Sequence, residues 1–200
     1  MKRIMVASTL MAAALVVCTG VAWAATVNCQ VGVPCVGTDE ADELIGTDTP
    51  DEMNAKQRSD RLYGFRGGDR MIGDDEPRSF GERLSNDGDD ELFGNRGPDI
   101  LEGYGGDDLL RGGRGRDQIS ALDLEQFTLN PGEDTVMADG GSDRINAFDS
   151  FPDTIKCGDD FDLVRFDKGL DKVAADCEER IFDTSAASSG RTSQNSSSTH

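Results

Sequence analysis

The chain has 200 residues, with 39 Asp or Glu against 20 Lys or Arg and a formal net charge of −19. That balance argues against nucleic acid as a partner, because phosphates would be repelled and not neutralised. With 36% hydrophobic residues and 24 Gly, there is little material for a thick core, and a chain this acidic needs a ligand to offset the entropy of ordering it.

Residues 1–24 read as an export signal. Lys2 and Arg3 charge the start, residues 4–21 are mainly apolar, and Ala22-Trp23-Ala24 has the small-residue pattern of a cleavage site. The apolar run is too short for a membrane span, and Val17 before Cys18 does not suit lipid attachment. The expected location is therefore extracellular. Cys29, Cys35, Cys157 and Cys177 remain after cleavage. An even number in an exported chain points to disulfides. Three pairings are open, and the local ones, Cys29 with Cys35 and Cys157 with Cys177, are preferred. Zinc is disfavoured by the spacing and by the single His, His200.

Residues 25–36 form a short N-terminal cap. A nine-residue period then begins, with turns opening at Gly37, Gly46, Ala55 and Gly64. Residues 73–84, which include Pro77, read as an inserted surface loop. A second ungapped block opens at Ser85, Gly94, Gly103 and Gly112, followed by an insertion at 121–128. A looser block opens at Leu129, Ala138, Ala147, Cys157 and Phe166. The repeat region is placed at 37–181, and the Ser-rich tail 182–200 has no apolar pattern and is expected to be disordered. The sixth residue of each of the thirteen turns is Asp: Asp42, Asp51, Asp60, Asp69, Asp90, Asp99, Asp108, Asp117, Asp134, Asp143, Asp153, Asp162 and Asp171. The eighth is apolar throughout, from Leu44 to Val173.

A nine-residue period fits neither a helix nor a long strand. It fits a six-residue turn plus a three-residue strand, stacked into a solenoid. Position 8 then faces inward, and positions 7 and 9 face out. Two turns make an 18-residue coil with a strand on each side, so Asp residues 18 apart stack: Asp42 over Asp60, Asp51 over Asp69, Asp90 over Asp108, Asp99 over Asp117. Carboxylates at strand spacing repel. A divalent cation between them removes the repulsion, and calcium suits best because it takes six to eight oxygen ligands in flexible geometry. Arg96, Arg114 and Arg116 are the competing source of neutralisation.

These lines resemble the nonapeptide of the RTX, or haemolysin-type, calcium-binding repeat family, G-G-x-G-x-D-x-U-x. The resemblance is clearest over 37–72 and 85–120, with 129–174 a degenerate continuation. It implies an all-β fold, a right-handed parallel β-roll in which the position-6 Asp side chains and turn carbonyls hold Ca2+. Asp90, Asp99, Asp108 and Asp117 are the best candidates, and the other nine Asp follow. The chain departs from the pattern where position 4 is Glu40, Thr49, Arg58, Ser150 or Asp160. The N-terminal signal and the cysteines are unlike the family's toxins and proteases, and a small exported repeat protein is the better match.

No catalytic constellation is present. The only His ends the tail, no H-E-x-x-H or P-loop occurs, and no EF-hand loop fits. The expected function is calcium binding by an exported module that folds on the ion. The alternatives are a calcium-dependent carbohydrate-active enzyme, for which 6% aromatic content offers few sugar platforms, and a surface adhesion module with an extracellular polymer as partner.

Overall fold

The computed structural model describes residues 25–74, 87–123 and 131–183. Residues 1–24, read above as an export signal, the interiors of both insertions and the Ser-rich tail lie outside the described residues. Those described form sixteen short strands and no helix, so no helix among them is long and apolar enough to cross a membrane. The first eight strands are β1 (Thr26–Asn28), β2 (Cys35–Val36), β3 (Glu43–Ile45), β4 (Glu52–Lys56), β5 (Arg61–Tyr63), β6 (Arg70–Asp74), β7 (Glu91–Arg96) and β8 (Ile100–Glu102). They are followed by β9 (Leu109–Arg114), β10 (Gln118–Ser120), β11 (Thr135–Gly140), β12 (Arg144–Ala147), β13 (Thr154–Lys156), β14 (Leu163–Asp167), β15 (Lys172–Val173) and β16 (Glu179–Asp183). Odd-numbered strands pair in sequence order into one sheet of eight, and even-numbered strands into a second. All the strand pairs are parallel, for example Leu92 beside Leu110 and Ile119 beside Ile145. The chain therefore winds as a β-solenoid of about eight coils, consistent with a parallel β-roll.

The period predicts the core. Every position-8 residue from Leu44 to Val164 is buried, and Val173 is partly so. Strands such as Ile100-Leu101-Glu102 bury only the middle residue, as period-2 alternation requires. The core is thicker than one aliphatic per strand. Ala55, Ala121, Ala138, Ala147, Cys157 and Phe166, all at turn position 1, join it.

The ends are built from the same unit. Val27 stacks on Leu44 and Cys35 on Met53, so residues 25–36 add a coil as well as covering one. At the other end β16 pairs with β14. Both local disulfides form, Cys29–Cys35 and Cys157–Cys177.

The insertions enter later than the period suggests. β6 continues through Gly73 and Asp74, both buried, and Ala121 is buried in the core with its N–H donating to Asn146 O at 3.0 Å. Gly73 and Ala121 therefore open the turns that end in Asp90 and Asp134. Ser85 and Leu129 lie outside the described residues. Each insertion is spliced into a turn behind its first residues, and the coil resumes in register beyond it.

Candidate metal centre

The position-6 aspartates form two ladders, one along each edge of the sandwich. On the first edge the backbone N–H of Asp60 donates to Asp90 Oδ1 at 2.7 Å, that of Asp90 to Asp108 Oδ1 at 2.8 Å, that of Asp108 to Asp134 Oδ1 at 2.9 Å, and that of Asp134 to Asp153 Oδ1 at 2.9 Å. On the second edge Asp51, Asp69, Asp99, Asp117 and Asp143 donate in the same way to Asp69, Asp99, Asp117, Asp143 and Asp162, at 2.7–2.9 Å. The ladders cross both insertions. Asp60 and Asp90 are 30 residues apart, and Asp108 and Asp134 are 26 apart, yet each pair is stacked like neighbours 18 apart.

One carboxylate oxygen is thus satisfied, and the other is not. The Oδ2 atoms of Asp60, Asp69, Asp90, Asp99, Asp108, Asp117, Asp134, Asp143, Asp153 and Asp162 are buried and accept no hydrogen bond. Each of these residues is at most 2% exposed. A buried carboxylate without a counter-charge is strongly disfavoured. The position-1 glycines show where the free oxygens point: a Cβ on Gly94 would fill a niche lined by Asp99 Oδ2 and the carbonyl oxygen of Gly112, and Gly64 meets Asp69 Oδ2 and Gly94 O in the same way. These niches are lined by oxygen, with carboxylate and backbone carbonyl side by side, which is the donor chemistry of a hard cation.

Burial drives the protonation equilibria. Desolvation, opposed by the backbone hydrogen bond and reinforced by neighbouring carboxylates, pushes Asp69, Asp99 and Asp117 up to about 6. Asp60 and Asp90 are pushed to about 8 and Asp134 to about 9. Asp108 is held well above the ordinary carboxylate range by burial and by Asp134 and Asp90. The arginines do not supply the missing charge. Arg96, Arg114 and Arg116 make no ion pair among the described residues, and the pairs that exist, such as Arg61 with Glu91 at 2.9 Å and Arg66 with Asp48 at 3.5 Å, lie on the surface. No three acidic, Cys or His side chains converge in a metal-holding group among the described residues, so a cation here must complete its shell with backbone carbonyls.

The RTX calcium-binding nonapeptide repeat model matches residues 45–76, 84–119 and 129–150. Over these residues the turns are similar to RTX calcium-binding repeats. RTX nonapeptides bind Ca2+, and the oxygen-lined niches with unpaired carboxylates fit that ion. None of the characterised proteins or solved structures compared with the chain matches it.

Within the roll the thirteen predicted aspartates are not equivalent. Asp42 and Asp51 have both oxygens engaged inside the chain. Asp42 Oδ1 accepts from Ala25 N–H at 2.9 Å, and its Oδ2 accepts from the Thr38 hydroxyl at 2.9 Å. Asp51 Oδ2 accepts from the N–H and hydroxyl of Thr47 at 2.6 and 3.1 Å. Asp171 is closed in the same way, by Asp153 N–H at 3.0 Å and Asp167 N–H at 2.6 Å. The cue was in the sequence: Thr stands at position 2 only in the turns of Asp42 and Asp51.

Three acidic residues off the repeat went unrecognised. Asp74 and Asp123 sit where the insertions leave the turns, are at most 1% exposed, and each accepts from the position-4 glycine, Gly88 or Gly132. Burial and the neighbouring Asp90 push Asp74 to about 10. Glu178 ends the second ladder by accepting from Asp162 N–H at 3.0 Å. A period-nine search has no place for any of the three.

Proposed function

We propose that this is an exported calcium-binding module whose roll forms at neutral pH only when calcium fills the turns, and that it acts by binding and not by catalysis. The observation that carries the reading is the double row of buried Oδ2 atoms without a partner. Calcium is held by Asp60, Asp69, Asp90, Asp99, Asp108, Asp117, Asp134, Asp143, Asp153 and Asp162, with turn carbonyls completing each shell. Asp42, Asp51 and Asp171 instead close the ends without metal, through Thr38, Thr47 and the backbone. Two disulfides fit an oxidising compartment, and with the N-terminal segment they support secretion.

Affinity belongs at the weak extracellular end, on the order of 10⁻⁴–10⁻³ M. Equilibrium dialysis of the chain from residue 25 counts the ions. Several calcium ions per chain are expected, with the number unchanged in Asp42→Asn and reduced in Asp99→Asn. Less than one ion per chain would sink the reading, and equal losses in the two variants would sink the assignment of ends and middle.

A further inference from the structure

In a molecule of net charge −19, one face carries a column of stacked arginines. Arg66, Arg96 and Arg114 occupy position 3 of successive turns on the second edge, with Arg66 beside Arg96 and Arg96 beside Arg114 in parallel register. Arg66 reaches Asp48 at 3.5 Å. Arg96 and Arg114 are exposed and have no acidic partner among the described residues. Like charges directly stacked across strands are destabilising, and of the three only Arg66 has a carboxylate against it among the described residues.

The backbone shows why these side chains stand over a groove. Position 2 before each arginine, at Phe65, Asn95 and Gly113, has positive φ of 69°, 72° and 107°, which bends the chain back over the outer face of the odd-stranded sheet. A groove of about 1000 Å³ results, running across the coils. Arg66, Arg96, Arg114, Phe65 and Phe93 line it, and Arg111 beside them is held by Asp139 at 2.5 Å. Phe65 is 45% exposed, and Phe93 stacks on Tyr63 with centroids 5.3 Å apart, giving the groove flat apolar faces beside its charges. Asp159 and Asp176 also line it and limit how far an anion can extend.

We propose that this groove binds a linear acidic polysaccharide, a chain of uronate sugars, with carboxylates on the exposed arginines and sugar faces against Phe65 and Phe93. The rings select this occupant: a pyranose carries an apolar face beside its carboxylate and can lay it on a flat aromatic side chain, whereas an extended acidic peptide brings charge without a ring face. Arg96 and Arg114 on adjacent strands stand about 4.8 Å apart, which favours a polymer over a single charged sugar. Calcium in the turns cancels part of the charge that would otherwise repel a polyanion. The proposal needs the folded roll but not any particular set of metal ligands.

The test is calorimetric titration of a galacturonate hexamer into the calcium-loaded chain, with circular dichroism on the same samples reporting the fold. The expected result is binding that weakens with added salt, is absent for a neutral glucose hexamer, and falls about tenfold or more in R96A/R114A, since hydrogen bonds to charged groups are individually strong. Both residues are exposed, so the variant keeps its β spectrum. Equal affinity in R96A/R114A would place the sugar on calcium at the acidic edges and overturn the proposal. So would absence of binding by a chain whose spectrum shows the roll formed, or tighter binding of single-stranded DNA.

Discussion

Asp108 divides its carboxylate between two tasks. Its Oδ1 accepts the Asp90 N–H at 2.8 Å and so holds one coil to the next, while Oδ2 is buried with no partner. An Asp108→Asn exchange keeps the first acceptor and removes the charge, so its effect should reverse with calcium. Under chelator the variant should retain more β signal than wild type, by the equivalent of about 1–3 kcal/mol, the scale of a relieved buried polar group. In saturating calcium it should be less stable. The same sign under both conditions would contradict a cation role for Oδ2. Glycine makes a second test. At Gly97, with φ of 121°, a Cβ would overlap the carbonyl of Gly67, whereas at Gly169, with φ of 99°, no atom lies within 4 Å of one. Gly169→Ala should cost only the left-handed strain, about 1–2 kcal/mol. Gly97→Ala must also push two coils apart and should abolish the calcium-induced transition. Equal calcium midpoints for the two would contradict the close stacking of turns.

The turn is the element in which charge and fold meet, and its pH response follows from burial. In the metal-free roll Asp69, Asp99 and Asp117 sit at about 6, Asp143 at about 7, and Asp60, Asp90 and Asp134 at about 8 to 9, against an ordinary 3.8. A carboxyl whose pKa is raised by folding favours the folded state while protonated. That contribution is complete below about pH 4 and is lost as pH climbs through the raised values. Under chelator the β signal should therefore be strongest near pH 4 and fall between about pH 6 and 9, the second edge ionising before the first. A metal-free signal that grows from pH 4 to 8 would contradict it. Most of the turn was legible in the sequence, because period nine fixes both the inward position 8 and the stacked position 6. The αL bend at position 2 was not, since Lys56, Phe65, Asn95, Tyr104 and Asp139 adopt it with φ between 69° and 91°, and non-glycine residues give no sign of a positive φ. Nor were the splice points at Asp74 and Ala121 legible, because an insertion hides the phase of the turn it interrupts.

Across the whole molecule each coil touches only its neighbours, so stability accumulates along the stack and the ends are its weak points. The Cys157–Cys177 bridge spans 20 residues at the C-terminal end and should contribute about 3 kcal/mol through the unfolded chain. A Cys157→Ala, Cys177→Ala double variant should require more calcium to fold, and an unchanged midpoint would show that the last coils form without it. The local cysteine pairing was readable from spacing. The closure of Asp42 and Asp51 had a cue in Thr38 and Thr47, whereas that of Asp171 became visible only once both oxygens of its carboxylate could be followed. Folding coupled to calcium is open to one simple experiment. The far-ultraviolet circular dichroism of the chain from residue 25 is recorded at neutral pH in chelator and again with millimolar calcium. A disordered spectrum that converts to β-structure on calcium addition is expected, and a β spectrum already complete in chelator would contradict it.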